Sequence, residues 1–309
     1  MKSKVWLALL ALYIVWGSTY LAIKFTIETI PPFLHSGIRF LISGFILVIW
    51  QRVAGKELPT RKQWVSTAII GVLLLLGGNG LVAWAEQFIP SGIAALVIAS
   101  SPMFLVIGEA LRPNGVKPNW QGIVGLLIGF VGIFILIGPA EITGNAAKLD
   151  PFGVAALLFA CLFWATGSMV SKSVDLPKSS LMNTGAQMLM GGAALVIVSL
   201  VTGEVNGWDV SAVSSRSLYG LLYLILVGSL IGFVSYGWLL HNAPISLVST
   251  YAYVNPIVAV FLGTWFANEA LEPRIWLAAG IIIGSVIFIN STRPRVRYEA
   301  KEVLVENTR

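Results

Sequence analysis

Within STYAYVNPIVAVFLG, Tyr251 and Asn255 stand four residues apart, so a helix would carry the phenol and the amide on one face. Ser246, Ser249 and Tyr253 recur at helical spacing on a neighbouring face. An aromatic floor with hydroxyl and amide groups offers apolar area and few fixed charges, which suits an amphipathic organic solute better than an inorganic ion. The same groups could instead hydrogen-bond between helices as structural glue. In LGGNGLVAWAEQF, Asn79 and Glu86 are seven residues apart, two helical turns and hence one face. Arg39, in a neighbouring apolar run, falls at a comparable depth. Two readings of Arg39 and Glu86 stay open: a structural ion pair, or a protonatable carboxylate that responds to a proton gradient or meets a ligand amine. A third group, Trp16, Tyr20 and Lys24 in WGSTYLAIKF, falls at i, i+4 and i+8.

These residues sit in an unusual chain. Of 309 residues, 57% are hydrophobic and 11% charged, against roughly 25% charged in soluble domains, and the mean hydropathy is +0.84. This composition describes an integral membrane protein. The net charge of +6 is therefore read first as a topology signal, and nucleic acid is not an expected partner. Only His35, His241 and Cys161 offer histidine or cysteine chemistry, and there is no GxSxG turn or P-loop. No catalytic residue, metal site, cofactor or internal disulfide is expected.

The elements that must position the polar groups are apolar windows of about 20 residues, enough to cross ~30 Å of hydrocarbon. Ten are expected, at 5–24, 32–50, 65–85, 92–111, 120–138, 152–171, 181–202, 217–240, 246–266 and 274–290. Lys2 and Lys4 ahead of VWLALLALYIVW imitate a signal peptide, but no small-x-small cleavage site follows, so the segment is expected to stay as a first helix. With the N-terminus in the cytoplasm, 15 Lys and Arg residues fall inside against four outside, namely Lys24, Lys148, Arg216 and Arg274. Both termini are thus expected in the cytoplasm, with 293–309 as a short tail whose basic residues act as a stop-transfer signal or touch anionic lipid.

The chain also matches itself at half-length. Trp16, Lys24, Gly37, Leu41 and Gly44 recur as Trp164, Lys172, Gly185, Leu189 and Gly192, at a spacing of 148. The spacing becomes 154 for Trp84/Trp238, Pro90/Pro244 and Pro102/Pro256, then 155 for Pro118/Pro273, Gly125/Gly280 and Gly129/Gly284. Five spans per half is an odd number, so the second half would enter the membrane inverted. The expected fold is all-α, ten transmembrane helices as two inverted five-helix repeats, 1–142 and 150–292. Such repeats place a site near the bilayer midplane between the halves, often at broken helices. Pro102 and Pro256 each remove a helical N–H and free a carbonyl in mid-span, either for function or as kinks satisfied by Ser100, Ser101 or Asn255. The GxxxG pairs Gly125/Gly129 and Gly280/Gly284 are expected to pack helices closely. Arg39 and Glu86 have Gln187 and Leu240 as counterparts, which favours a structural pair over a coupling device.

The stretches ALYIVWGSTYLAIK, PPFLHSGIRFLISG, GNGLVAWAEQFIPSGIAALVIASSPMF and STYAYVNPIVAVFLGTWFANEAL resemble the EamA-type exporters of the drug/metabolite transporter superfamily, most closely its YedA-like branch. The resemblance spans the whole bundle. It implies a multi-pass transporter of the bacterial cytoplasmic (inner) membrane that exports a small organic solute, an amino acid, metabolite or toxic compound, by alternating access. It also implies a cavity lined by the first, third, fourth, sixth, eighth and ninth spans. The substrate-binding candidates are then Trp16, Thr19, Tyr20, Asn79, Trp84, Ser101, Trp164, Ser168, Tyr236, Tyr251 and Asn255. Lys24, Lys172, Arg39 and Glu86 are candidates for gating or coupling, with Lys24 and Lys172 at opposite entrances. Pro256 to Glu269 reproduces the family's spacing between kink proline and glutamate, whereas Glu109 follows Pro102 by only seven residues. The implied partners are the solute, the lipid bilayer and protons as a candidate coupling ion; a monomer would suffice, and oligomeric state stays open. A channel or lipid scramblase, and a membrane-embedded enzyme, are the competing functions.

Overall fold

The computed structural model describes residues 2–112, 117–137, 149–243, 245–248, 250–269 and 273–292. The tail 293–309, Lys148, Pro244, Ser249 and the end of the first repeat at 142 lie outside the described residues, as do the side chains of Leu240 and Ser246.

Among the described residues there is helix and no strand. In chain order, α1 is Lys2–Thr26, α2 Pro32–Val53, α3 Arg61–Ala85, α4 Ser91–Leu111, α5 Trp120–Ile137, α6 Pro151–Val170 and α7 Ser180–Val201. The eighth helix, α8, joins Ser215–Tyr223, Leu224–Ile231 and Gly232–Asn242; α9 is Tyr251–Ala267, after a single turn Ile245–Val248, and α10 is Pro273–Thr292. Seven of these are long and apolar enough to cross a membrane, and shorter apolar helices occupy the fifth, ninth and tenth places. Large apolar side chains such as Phe45, Leu127, Phe134, Leu162, Trp265 and Leu277 are exposed on the outside, which hydrocarbon, unlike water, would accept.

Local chemistry sets the helix ends. Pro32 and Pro151 take first-turn positions, where a missing N–H costs no bond, and Asp150 accepts from Gly153 N at 2.7 Å. Thr60 and Gln63 form a capping box at the start of α3. Two second-half carboxylates cap first-half helices: Glu204 accepts from Phe33 N at 3.0 Å, and Glu269 from Ser91 N at 2.6 Å and Gly92 N at 3.0 Å. Each meets the positive end of a helix. Glu109 instead forms a half-exposed i, i+3 pair with Arg112 at 3.7 Å, so the two glutamates of the family spacing do different work.

Helix α3 contains a π-helical stretch, Val72–Gly80, and α8 contains one at Leu224–Ile231. Helix α4 is interrupted between Ile98 and Ser101. In contrast, α9 runs through Pro256.

The two halves meet along α2 and α7, the most extensive helix pair. A Cβ on Gly44 would lie 2.8 Å from Gly185 O, and one on Gly37 3.1 Å from Gly192 O. Gly37 thus meets Gly192 and Gly44 meets Gly185, a reciprocal pattern across an antiparallel pair whose four glycines are the repeat-related ones. The change of repeat spacing from 148 to 154 also has a physical place. The segment between α2 and α3 is 54–60, whereas that between α7 and α8 is 202–214, six residues longer. That longer segment turns at Gly203 and Gly207, both at positive φ, and is anchored by Trp208 Nε1 donating to Thr29 O at 2.7 Å.

The GxxxG expectation holds on one side only. Gly125 and Gly129 pack against Ile289, Met103 and Ser285, but a Cβ on Gly280 or Gly284 would meet nothing within 4 Å. Spacing placed both pairs on a helix face but did not say which way that face turns, and on α10 it turns outward.

Candidate functional site

A cavity of ≈ 170 Å³ lies where the halves meet. Trp16, Thr19 and Tyr20 of α1, Asn79 of α3, Ser101 and Pro102 of α4, Trp164 of α6, and Tyr251, Asn255 and Pro256 of α9 all line it. Arg39 adds α2 to the helices expected around it, and Phe233 is the contribution of α8. The wall is mostly aromatic and aliphatic with a few polar groups, the make-up of a small-molecule site.

Each tryptophan is seated by the opposite half. A Cβ on Gly78 would lie 3.0 Å from Trp164 Cε3, and one on Gly232 would lie 2.9 Å from Trp16 Cδ1. Gly78 belongs to the π stretch of α3, and Gly232 follows directly on that of α8. Only a bare backbone lets these rings approach so closely. The ring of Trp16 is further fixed by Phe233, Tyr236 and Tyr251, at centroid distances of 5.3, 5.2 and 5.1 Å.

Helix interruption exposes backbone chemistry here, and the protein treats its two prolines differently. Pro102 cannot bond Ile98 O, and Ser101 Oγ takes over that carbonyl at 2.6 Å. Ser100 Oγ likewise donates to Val97 O at 2.6 Å. Pro256 leaves the carbonyl of Ala252 without its i+4 donor, and Ala252 lines the cavity. The Asn255 amide nitrogen reaches Tyr13 O at 3.2 Å and Tyr251 O at 3.1 Å instead, tying α9 to α1. Thr19 Oγ1 donates to Trp16 O at 2.6 Å and Asn79 Nδ2 to Leu74 O at 3.2 Å. Tyr13 and Thr250 are joined by a hydroxyl hydrogen bond close by.

Arg39 and Glu86 do not form the expected ion pair. Arg39, 4% exposed, donates from Nε to Ser229 Oγ at 2.9 Å and lies 4.8 Å from the Phe40 ring centroid. Glu86 is fully buried, and neither carboxylate oxygen has a hydrogen-bond partner among the described residues. The sequence argument assumed an unbroken α-helix from Asn79 to Glu86. Residues 72–80 are π-helical and the helix ends at Ala85; Asn79 lines the cavity, and Glu86, just past the helix end, does not. The backbone oxygen of Glu86 receives Lys24 Nζ at 2.9 Å.

The remaining candidates stand away from the wall. Trp84 meets Phe88 edge-on at 5.1 Å, Tyr236 sits one layer behind, against Trp16 and Tyr251, and Ser168 lies in the last turn of α6. Lys172 is exposed just beyond that terminus. Phe233, Ile98, Leu105 and Gly78 were not anticipated; for the three apolar side chains nothing in the sequence separates wall from core. Gly78 could have been found, because Gly232 lies 154 residues on. Cys161 is fully buried next to the interruption of α4, its Sγ 3.7 Å from Val97 O and 3.8 Å from Ser100 Oγ. Among the described residues no three His, Cys, Asp or Glu side chains gather to hold a metal ion.

The pattern of the EamA-like transporter family matches residues 3–138 and 151–291. The chain is 38% identical over 301 residues to the uncharacterized inner membrane transporter YedA of Escherichia coli, covering 96% of this chain and 93% of that one. It is 28% identical over 292 residues to the uncharacterized transporter YoaV of Bacillus subtilis, with 93% and 97% covered. Protein PecM of Dickeya dadantii is 27% identical over 291 residues, with 92% and 93% covered. A solved crystal structure superposes with a TM-score of 0.62 at 19% identity, over 93% of this chain and 97% of that one, a likeness of fold.

Proposed function

Because the chain belongs to the EamA-like transporter family, we propose that it exports a small organic solute across the bacterial cytoplasmic membrane through this cavity, by alternating access. It is a membrane transporter, not an enzyme. In this reading ten spans form two inverted repeats, 1–142 and 150–292, with both termini and the tail 293–309 in the cytoplasm.

The observation that carries the reading is the pairing within the cavity wall. Trp16 with Trp164, Ile98 with Ala252, Ser101 with Asn255 and Pro102 with Pro256 are repeat-related positions that line the same space. A site bounded by equivalent parts of two halves can be opened from either side by exchanging their packings. The reciprocal glycine seam of α2 and α7 supports this, since bare backbones let two helices rock without side-chain ridges unlocking.

The lining residues Trp16, Thr19, Tyr20, Asn79, Ser101, Trp164, Tyr251 and Asn255 contact the solute, and Tyr236 supports Trp16 and Tyr251 from behind. Lys24 and Lys172 mark the two entrances. Glu86, buried without a bonding partner, is the carboxylate able to take and release a proton during the cycle. The charged and titratable groups acting on it are Lys24, Glu269 and Tyr20.

Purified protein in proteoliposomes tests the reading. A transporter gives saturable uptake and counterflow of a solute chosen by comparing intracellular and secreted metabolites with and without expression. A channel or scramblase gives neither, and that result would sink the proposal.

A further inference from the structure

Thr19, Tyr20, Asn79, Ser101, Tyr251 and Asn255 bring hydroxyls and amides to the cavity, but Arg39 brings its one fixed charge among the lining residues. Among the described residues that guanidinium has one protein hydrogen bond, Nε to Ser229 Oγ, and no carboxylate within ion-pair distance. Five N–H donors are available on an arginine, so four remain for something else. A cation held away from water without a counter-charge is costly, and such a residue in a membrane bundle faces a pathway or an anion. The protein makes room for it: a Cβ on Gly228 would lie 3.2 Å from Arg39 Nη2. Glu86, the counter-ion expected from the sequence, is fully buried and is not part of the wall.

We infer that Arg39 is a specificity-determining residue that receives the carboxylate of the transported solute, so the cargo is a small monocarboxylate with an apolar or aromatic body. A planar guanidinium matches a carboxylate in a two-bond fork. A phosphate monoester carries close to two negative charges at neutral pH and would leave one uncompensated. Organic cations fit worse still, because no acidic residue is among the described residues that line the cavity and Arg39 repels them. The rings of Trp16, Tyr20, Trp164, Phe233 and Tyr251 supply the complementary surface for an apolar body. A cavity of ≈ 170 Å³ is of ring-solute size, given that an engineered apolar cavity of about 150 Å³ binds benzene.

The inference rests on the transporter reading only in calling the ligand cargo, so its test is equilibrium binding. Two matched series, benzoate, benzamide and benzylammonium, and 3-phenylpropionate with its amide and amine counterparts, would be titrated onto the full-length protein in detergent. Trp16 and Trp164 in the wall give a fluorescence readout. The expected order is carboxylate at least about tenfold tighter than amide, with the ammonium weakest. In Arg39→Gln the carboxylate falls to the affinity of the amide while the amide is unchanged, and Arg39→Lys keeps part of the preference. If the amide or ammonium binds as tightly as the carboxylate in the unaltered protein, or neither series shows a carboxylate preference, the inference is overturned, whether or not the variants fold. A carboxylate preference without counterflow overturns the transport reading and leaves this one standing.

Discussion

Trp16 and Trp164 occupy matching places in the two halves, and each rests on a glycine of the other half, yet they keep different company. Trp16 is held by Phe233, Tyr236 and Tyr251, whereas Trp164 stacks on no described aromatic ring. The same contrast runs through the polar positions. Ser101 repairs its own helix by bonding Ile98 O, while its counterpart Asn255 reaches across to Tyr13 on α1. Arg39 and Glu86 are buried charges of the first half, but Gln187, in the place of Arg39, is neutral and bonds Asn183 at 2.9 Å. The π stretches, the glycine seats of the two tryptophans and the glycine seam are shared between the halves, and the polar side-chain chemistry is not. A repeated scaffold therefore shapes the cavity, and one half charges it.

Substitutions at paired positions can break or sharpen that contrast. The largest effect is expected at the seam. A Cβ on Gly44 would lie 2.8 Å from backbone atoms of Gly185 and Leu189, which cannot step aside. Gly44→Leu should abolish the monodisperse folded protein in size-exclusion chromatography, by several times the roughly 1–3 kcal/mol of ordinary overpacking. Gly280→Leu, with open space around it, should stay within about 0.5 kcal/mol of the parent. Next, Trp16→Ala should lower the thermal midpoint in detergent by the equivalent of about 3–5 kcal/mol. Trp164→Ala should cost roughly 1 kcal/mol less, since it gives up no aromatic cluster; equal losses would contradict the contrast between the halves.

Smaller effects are expected at the charges. Glu86→Gln should leave stability unchanged or raised, because no bond to the carboxylate is lost, and should flatten the pH profile of counterflow. A pH profile identical to the parent's would remove Glu86 from the coupling role. The smallest change is expected at the lysines: Lys24→Gln loses one bond to a backbone oxygen, about 1–2 kcal/mol at most, and exposed Lys172→Gln should leave the thermal midpoint unmoved. With both lysines replaced, slower counterflow is expected; unchanged transport would end the paired-entrance idea.

Much of this was legible from self-similarity. Of the recurring residues, Trp16/Trp164 and Pro102/Pro256 converge on the cavity and Gly37/Gly185 and Gly44/Gly192 on the seam. What the spacing could not carry was helix type and facing. The π stretch at 72–80 leaves no mark in the apolar pattern, and the outward turn of Gly280 and Gly284 depends on packing that no local pattern encodes. Tyr251 and Asn255 share the cavity face as a helix dictates, while Tyr253 packs instead beside Met103 and Val106. Arg39 was visible as an odd charge in an apolar run. That it would be bonded to Ser229 rather than to a carboxylate required the third dimension.

Cys161 gives the molecule a built-in clock. It is the only cysteine of the chain, fully buried between α6 and the interruption of α4, beside the cavity wall at Ala160. A thiol reagent can reach it only when α4 and α6 part, so the rate of its alkylation measures how often that gap opens. The parent sequence needs no engineered label for such a measurement, and a bound solute that holds the gap shut would announce itself as slower chemistry at one sulfur.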